Sequence, residues 1–295
     1  MIALTVALAV FVGISLGLLG GGGSILTVPL LAYVAGQEPK EAIATSLLVV
    51  GVTSAVGAIT HARAGRVRWK VAAVFGVAAM SGAYAGGRLA KFIPGNILLI
   101  AFSVIMIMAA VAMLRGRKDV GDESVGPLPI GRIMLQGASV GVISGLVGAG
   151  GGFLLVPALA LLGGLPMPVA VGTSLVVISM QSFAGFAGHL AGETIDWKLA
   201  GMVIAAAVAG SIIGGLLTSK IDPATLRKVF GWFVLAMAAL VLAEEANLWL
   251  GIAVGIVAAI AGGMAFMCSH WDRCPLRKVL VDPGAIPRGV PLSQR

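Results

Sequence analysis

The stretch Gly17-Leu18-Leu19-Gly20-Gly21-Gly22-Gly23-Ser24-Ile25-Leu26-Thr27-Val28-Pro29 decides the reading, because the chain carries it twice. The second copy is Gly145-Leu146-Val147-Gly148-Ala149-Gly150-Gly151-Gly152-Phe153-Leu154-Leu155-Val156-Pro157. The offset is 128 residues (145 − 17), and it holds without a gap between 13–89 and 141–217. Along that alignment Thr45-Ser46-Leu47 meets Thr173-Ser174-Leu175, His61 meets His189, and Trp69-Lys70 meets Trp197-Lys198. Matched glycines and alanines carry little weight, but matched His and Trp carry a good deal. The chain therefore reads as a duplication, with a period far longer than that of a solenoid repeat.

Each copy has the same physical form. An apolar segment, 2–19 or 131–147, runs into a glycine cluster that ends its helix. A second apolar piece follows at 25–36 or 153–163. It is shorter than the roughly 20 residues that a helical crossing needs. Each copy thus predicts a half-helix behind a break. Longer apolar segments complete the halves: 42–61, 70–90 and 96–114 in the first, 168–190, 198–219 and 224–243 in the second. A last apolar segment, 246–267, has no counterpart. The expected organisation is repeat 1 over 1–114, a cytoplasmic linker over 115–130 and repeat 2 over 131–243. An extra span over 244–267 and a polar, disordered tail over 268–295 follow.

Composition points the same way. Of 295 residues, 59% are hydrophobic and only 11% charged, with mean hydropathy +1.05. Soluble domains carry about 25% charged residues, and only a bilayer tolerates this much apolar surface. The fold class is an all-α polytopic membrane protein. The net charge of +8 sits in loops and the tail, so it reads as topology and not as a nucleic-acid face. The first apolar segment resembles a signal peptide only in length. It lacks a basic leader and a small-residue cleavage site, and it recurs mid-chain, so it is expected to be retained. Cys268, His270 and Cys274 do not have a zinc-site spacing, and no metal or cofactor is expected.

Basic residues choose between two topologies. If each half-helix completes a crossing, the repeats are parallel and the 20 Lys and Arg divide 9 against 11. If each break makes a re-entrant hairpin, the repeats are inverted. Only Lys40, Arg88, Lys91 and Lys198 then oppose the other 16 (20 − 4). The second division obeys the positive-inside rule and the first does not. The expectation is two inverted repeats, each with a broken re-entrant helix pair, with linker and tail cytoplasmic and Met1 outside.

Inverted hairpins would bring two glycine-rich breaks into the membrane from opposite faces. Irregular backbone survives there only when buried in protein or lining a wet cavity. Helix N-termini at the breaks would offer N–H groups to an anion. The expected binding residues are Gly22, Gly23, Ser24, Gly150, Gly151 and Gly152. The alternative is that these glycines serve only close packing. Thr45, Ser46, Thr173 and Ser174 follow at equal spacing, as ligand hydroxyls or as groups bonded back to their own helices. Gln181, whose counterpart is Thr53, is costly in hydrocarbon unless partnered by ligand or by another helix. His61 and His189 close their segments as a proton or anion relay, or as interfacial residues. Trp69 and Trp197 read as interfacial anchors, and Arg88 as an anion guide or a snorkelling side chain. No acidic residue lies mid-segment, which argues against a carboxylate relay or cation site.

The doubled glycine motif, with Ala44-Thr45-Ser46-Leu47 and Gly172-Thr173-Ser174-Leu175, resembles the sulfite exporter TauE/SafE-like permease family over about residues 5–265. The resemblance implies a multi-pass permease of the bacterial inner membrane. Its substrates would be small sulfur-containing anions of the sulfite, sulfonate or thiosulfate type. The family is described as a duplicated set of full spans, from which the hairpin reading departs. An alternating-access carrier is the leading reading. An anion channel and a membrane-embedded enzyme stand as alternatives, although no H-E-x-x-H or Walker motif is present. The partners expected are the anion and the lipid bilayer, with a homodimer left open.

Overall fold

The computed structural model describes residues 2–19, 22–114, 130–148, 150–152, 155, 167–190, 192–217, 223–246 and 255. The linker, most of the second half-helix, the extra span and the tail with Cys268, His270 and Cys274 lie outside the described residues. Among those described, the regular structure is helical throughout. Eight long helices appear: α1 (Ile2–Leu19), α2 (Pro39–Arg63), α3 (Trp69–Ala90), α4 (Gly95–Leu114), α5 (Ile130–Val147), α6 (Met167–His189), α7 (Trp197–Leu217) and α8 (Pro223–Glu245). Three described stretches are long and apolar enough to cross a membrane: Pro39–Arg63, Val169–His189 and Trp197–Gly215. Trp69 and Trp197, at the starts of α3 and α7, are mostly exposed, as an interfacial anchor would be.

The first break is more irregular than a simple half-helix. A 3-10 turn, Gly22–Leu26, leads through Thr27–Pro29 into a π-helical turn, Leu30–Val34. Pro29 has no N–H to donate one turn back, and the ladder widens after it. Ala35 N–H reaches Leu30 O at 3.0 Å. α1 packs against both the 3-10 and the π-helical turns. Ala9 and Val12 of α1 share one apolar cluster with Ile25, Val28 and Leu31, and with residues of α2, α4, α7 and α8.

Two helix pairs cross between the halves. α1 packs on α7 and α3 packs on α5. The contacts run through glycine on both sides. A Cβ on Gly13 or Gly17 would overlap the carbonyls of Ala207 or Ser211, and one on Gly210 or Gly214 those of Val10 or Ile14. In α3 and α5, Gly141 and Gly145 meet Ala79 and Ala83, while Gly82 and Gly86 meet Ala138 and Val142. Every contact in one pair maps onto a contact in the other by a shift of 128 residues, Gly13 to Gly141 for example (141 − 13). Residue numbers rise together, so each pair runs parallel. Small residues bring membrane helices close enough for van der Waals contact to hold them. Gly141→Val should therefore weaken the fold by about 1–3 kcal/mol, the usual range for overpacking. The readout is thermal unfolding in detergent; an unchanged midpoint would contradict the packing role.

α2 and α6 form the central crossing. Leu47 lies by Gly185, Gly51 by Phe183, and Gly57 by Leu175. Numbers rise on one helix as they fall on the other, so the two are antiparallel. Ser179 Oγ donates to Gly51 O at 3.1 Å. These two residues occupy equivalent positions of the two halves, 128 apart.

Candidate functional site

The two glycine-rich breaks meet beside this crossing. Gly148, Gly150 and Gly151 all take left-handed φ, +75°, +62° and +64°. Side chains other than glycine rarely adopt that conformation. Leu155 N–H returns to Gly151 O at 3.0 Å, so a helical turn starts there. A Cβ on Gly150 would lie 3.5 Å from Ser24 Cβ and 3.5 Å from Ser182 Oγ, and would collide with Val50. A Cβ on Gly151 would lie 2.6 Å from Gln181 Nε2 and 3.4 Å from Ser144 Oγ. Ser24 of the first break and Gly150 and Gly151 of the second are thus gathered around Gln181 and Ser182 of α6.

Within this cluster Gln181 is 0% exposed. Its Nε2 donates to Gly150 O at 2.6 Å and to Ser144 Oγ at 3.4 Å. Its Oε1 has no partner among the described residues, nor does Ser182 Oγ, and both atoms are buried. Buried polar atoms normally find a partner, and an orphan needs an explanation. Ser54, the counterpart of Ser182 in α2, also has a buried hydroxyl without a partner. The cluster holds no charged residue.

The remaining expected site residues lie elsewhere. Gly22 and Gly23 open the 3-10 turn ahead of Ser24, and Gly152 is buried and helical just past Gly151. Ser46 Oγ donates to Gly148 O at 2.8 Å and fastens the second break to α2. Thr45 Oγ1 accepts from Gln37 Nε2 at 3.4 Å. Thr173 Oγ1 accepts from Arg68 N–H at 3.1 Å, tying α6 to the loop before α3. Ser174 Oγ donates to Val171 O of its own helix at 2.8 Å. Thr45, Thr173 and Ser174 therefore each have a partner within the protein. Sequence reading passed over Ser144, Ser54 and Ser182. The last two were detectable as an aligned serine pair inside apolar helices.

The two histidines sit in unequal surroundings. His189 is 4% exposed, and its Nε2 lies 2.8 Å from Gly145 O. Around it α3 and α6 close tightly: a Cβ on Gly87 would lie 2.6 Å from Gly185 O and 3.1 Å from Gly188 Cα. His61 is only half-buried, and its Nδ1 has no partner among the described residues. No bond equivalent to His189–Gly145 joins His61 to Gly17 among the described residues. Nothing described lies within 4 Å of a Cβ on Gly215, the counterpart of Gly87. The close approach of α3 to α6 at Gly87 thus has no equivalent at Gly215 among the described residues. No group of three or more His, Cys, Asp or Glu side chains suited to a metal is gathered among the described residues.

The family model for the sulfite exporter TauE/SafE matches residues 5–241. The chain belongs to that family. It is a family of membrane permeases and not of enzymes. A probable membrane transporter protein of Xylella fastidiosa, strain Temecula1, is 36% identical over 234 residues, which cover 77% of this chain and 89% of the relative. The Bacillus subtilis probable membrane transporter protein YdhB is 27% identical over 221 residues, covering 73% of this chain and 89% of the relative. No solved structure matches this chain.

Proposed function

We propose that this TauE/SafE family member is a multi-pass protein of the cell inner membrane that carries small sulfur-containing anions by alternating access between inverted repeats. The observation that carries the reading is the meeting of the two glycine-rich breaks at buried, unsatisfied polar atoms of Gln181 and Ser182. An anion brought into low dielectric needs fixed dipoles in place of its water. Backbone N–H groups at the breaks, with the Ser182 hydroxyl, would supply such dipoles without a full charge. A site of that kind binds an anion and still releases it. Without a mid-helix carboxylate, the anion gradient, the membrane potential or a proton on the substrate would drive transport.

The inverted arrangement is supported by the antiparallel crossing of the equivalent helices α2 and α6. A two-fold axis in the membrane plane generates such a crossing; an axis along the membrane normal would make them parallel. The Ser179–Gly51 bond between equivalent residues lies where that axis would pass. The re-entrant hairpin is supported by contact of α1 with the Leu30–Val34 turn, since a straight continuation would carry that turn away from α1. Repeat 1 then spans 1–114 and repeat 2 spans 131–243, with 244–267 as an added span.

Topology has a direct test. Asp196 N–H donates to Glu41 Oε1 at 3.3 Å, Lys40 Nζ to Lys91 O at 3.1 Å, and Gly192 lies against Lys91. Arg66 and Arg68 lie by Gly172 and Thr173 at the other ends of α2 and α6. Single-cysteine variants Glu193→Cys and Lys91→Cys should label from the periplasm, and Arg66→Cys only from the cytoplasm. Labelling of Glu193→Cys and Arg66→Cys from one side would reject the inversion. Transport itself is tested by counterflow in proteoliposomes with sulfite, thiosulfate, sulfoacetate and taurine. Failure to move any of them would reject the substrate class.

A further inference from the structure

The polar cluster says more about the ligand than its charge. Gln181 is held in one orientation. Its Nε2 lies 2.6 Å from Gly150 O, a carbonyl that can only accept. Turning the amide over would set Oε1 against that carbonyl, two acceptors at hydrogen-bond distance. The second contact, from Nε2 to Ser144 Oγ at 3.4 Å, fits either orientation, because a hydroxyl both donates and accepts, so the Gly150 carbonyl decides. Gln181 Oε1 is therefore left as a buried acceptor that nothing among the described residues satisfies. The hydroxyl of Ser182, on the adjacent residue, is equally unsatisfied and can either donate or accept.

An amide carbonyl repels a bare oxyanion, because both present lone pairs. It attracts an O–H or N–H. We infer that the site takes an oxyanion that brings a hydrogen-bond donor of its own, and that Gln181 Oε1 accepts that donor while the Ser182 hydroxyl donates to the oxyanion. The class includes a sulfur oxyanion that keeps one proton and a sulfonate with a hydroxyl or amino group nearby. It excludes a fully deprotonated oxyanion and a plain alkanesulfonate as good ligands. A site that leaves a buried acceptor unmet discriminates strongly against a ligand lacking the donor. The inference rests on the transport reading and adds to it the property that Gln181 would select.

The counterpart of Gln181 differs in chemistry. Thr53 Oγ1 donates to Val49 O of its own helix at 2.7 Å, so its proton is committed and only its lone pairs remain. The two halves are unequal in the residues that would read the ligand, and the amide belongs only to the second.

The test compares two ligands of nearly equal shape, propane-1-sulfonate and 2-hydroxyethanesulfonate, which differ by a methyl in place of a hydroxyl. Inhibition of counterflow is measured in proteoliposomes holding the full chain. The wild-type protein should prefer the hydroxyl compound by about ten- to a hundred-fold, the scale of a buried polar group met or left unmet. Gln181→Met should lose that preference. A second comparison, of sulfite uptake at pH 6 and pH 8, should favour the more acidic side in wild type. Equal inhibition by the two sulfonates in wild type would overturn the inference and leave the transport reading standing. A preference retained in Gln181→Met would overturn the assignment to Gln181. If neither sulfonate inhibits and sulfite does not move, both readings fall together. The wild-type comparison stands even where the variant does not fold.

Discussion

Gly151→Val is expected to abolish anion transport in proteoliposomes while leaving a chain that still inserts into the membrane. Two independent effects act at this position. Gly151 has φ +64°, which a β-branched residue does not adopt without strain. Strain of that kind costs about 1–3 kcal/mol. The added Cβ would also stand 2.6 Å from Gln181 Nε2 and 3.4 Å from Ser144 Oγ. The valine must therefore expel the amide from its bond to Gly150 O, which leaves a second buried polar group unmet. Both effects fall on the break and not on the α1–α7 and α3–α5 pairings that hold the helices together. Counterflow at the wild-type rate in Gly151→Val would remove the break from the binding site.

A second large effect is expected where a static view predicts none. Nothing among the described residues lies within 4 Å of a Cβ on Gly215, so Gly215→Val should leave the stability of the purified protein unchanged. Its counterpart Gly87 is packed against Gly185 and Gly188 at the His189 end. If the halves exchange roles during transport, Gly215 must come equally close to Gly57 and Thr60 when the His61 end seals. Gly215→Val would then disfavour that state by about 1–3 kcal/mol, or 5- to 150-fold in population, and transport would fall with it. Gly87→Val should act in the opposite sense and hold the His189 end apart. Single-cysteine labelling at Gly192→Cys, with each valine variant as background, reads the difference. Normal counterflow in Gly215→Val would show that the His61 end never closes in the manner of the His189 end.

The fold was largely legible because its signals are long and repeated. The apolar lengths, the glycine clusters and the 128-residue offset located α1 to α8 and the first break. What the sequence could not convey was which helix meets which. Gly82 and Gly86, and Gly210 and Gly214, stand among many glycines in apolar segments, yet they form the close contacts between halves. The site was legible only in part. Ser24, Gly150, Gly151 and Gln181 are gathered as residues of one cluster. Thr45 and Thr173, the conspicuous aligned hydroxyls, accept bonds from Gln37 and Arg68 instead. An aligned hydroxyl signals a shared backbone setting as readily as a shared ligand. Ser182 and Ser144 were hidden because one serine in an apolar helix resembles any other until the loop that faces it is known.

The exchanged pairing of α1 with α7 and α3 with α5 also sets an order of events during synthesis. α1 ends at Leu19 and α7 begins at Trp197, so 178 residues (197 − 19) separate their synthesis. At about 5–20 residues per second the first helix waits roughly 10–35 s for its partner. Through that interval the glycine face of Gly13 and Gly17 lacks the α7 partner it has in the finished fold. α3 waits less, because α5 follows it directly after the linker. The second half of the nascent chain therefore completes the first, and a ribosome stalled before α7 would leave an inserted but unassembled bundle.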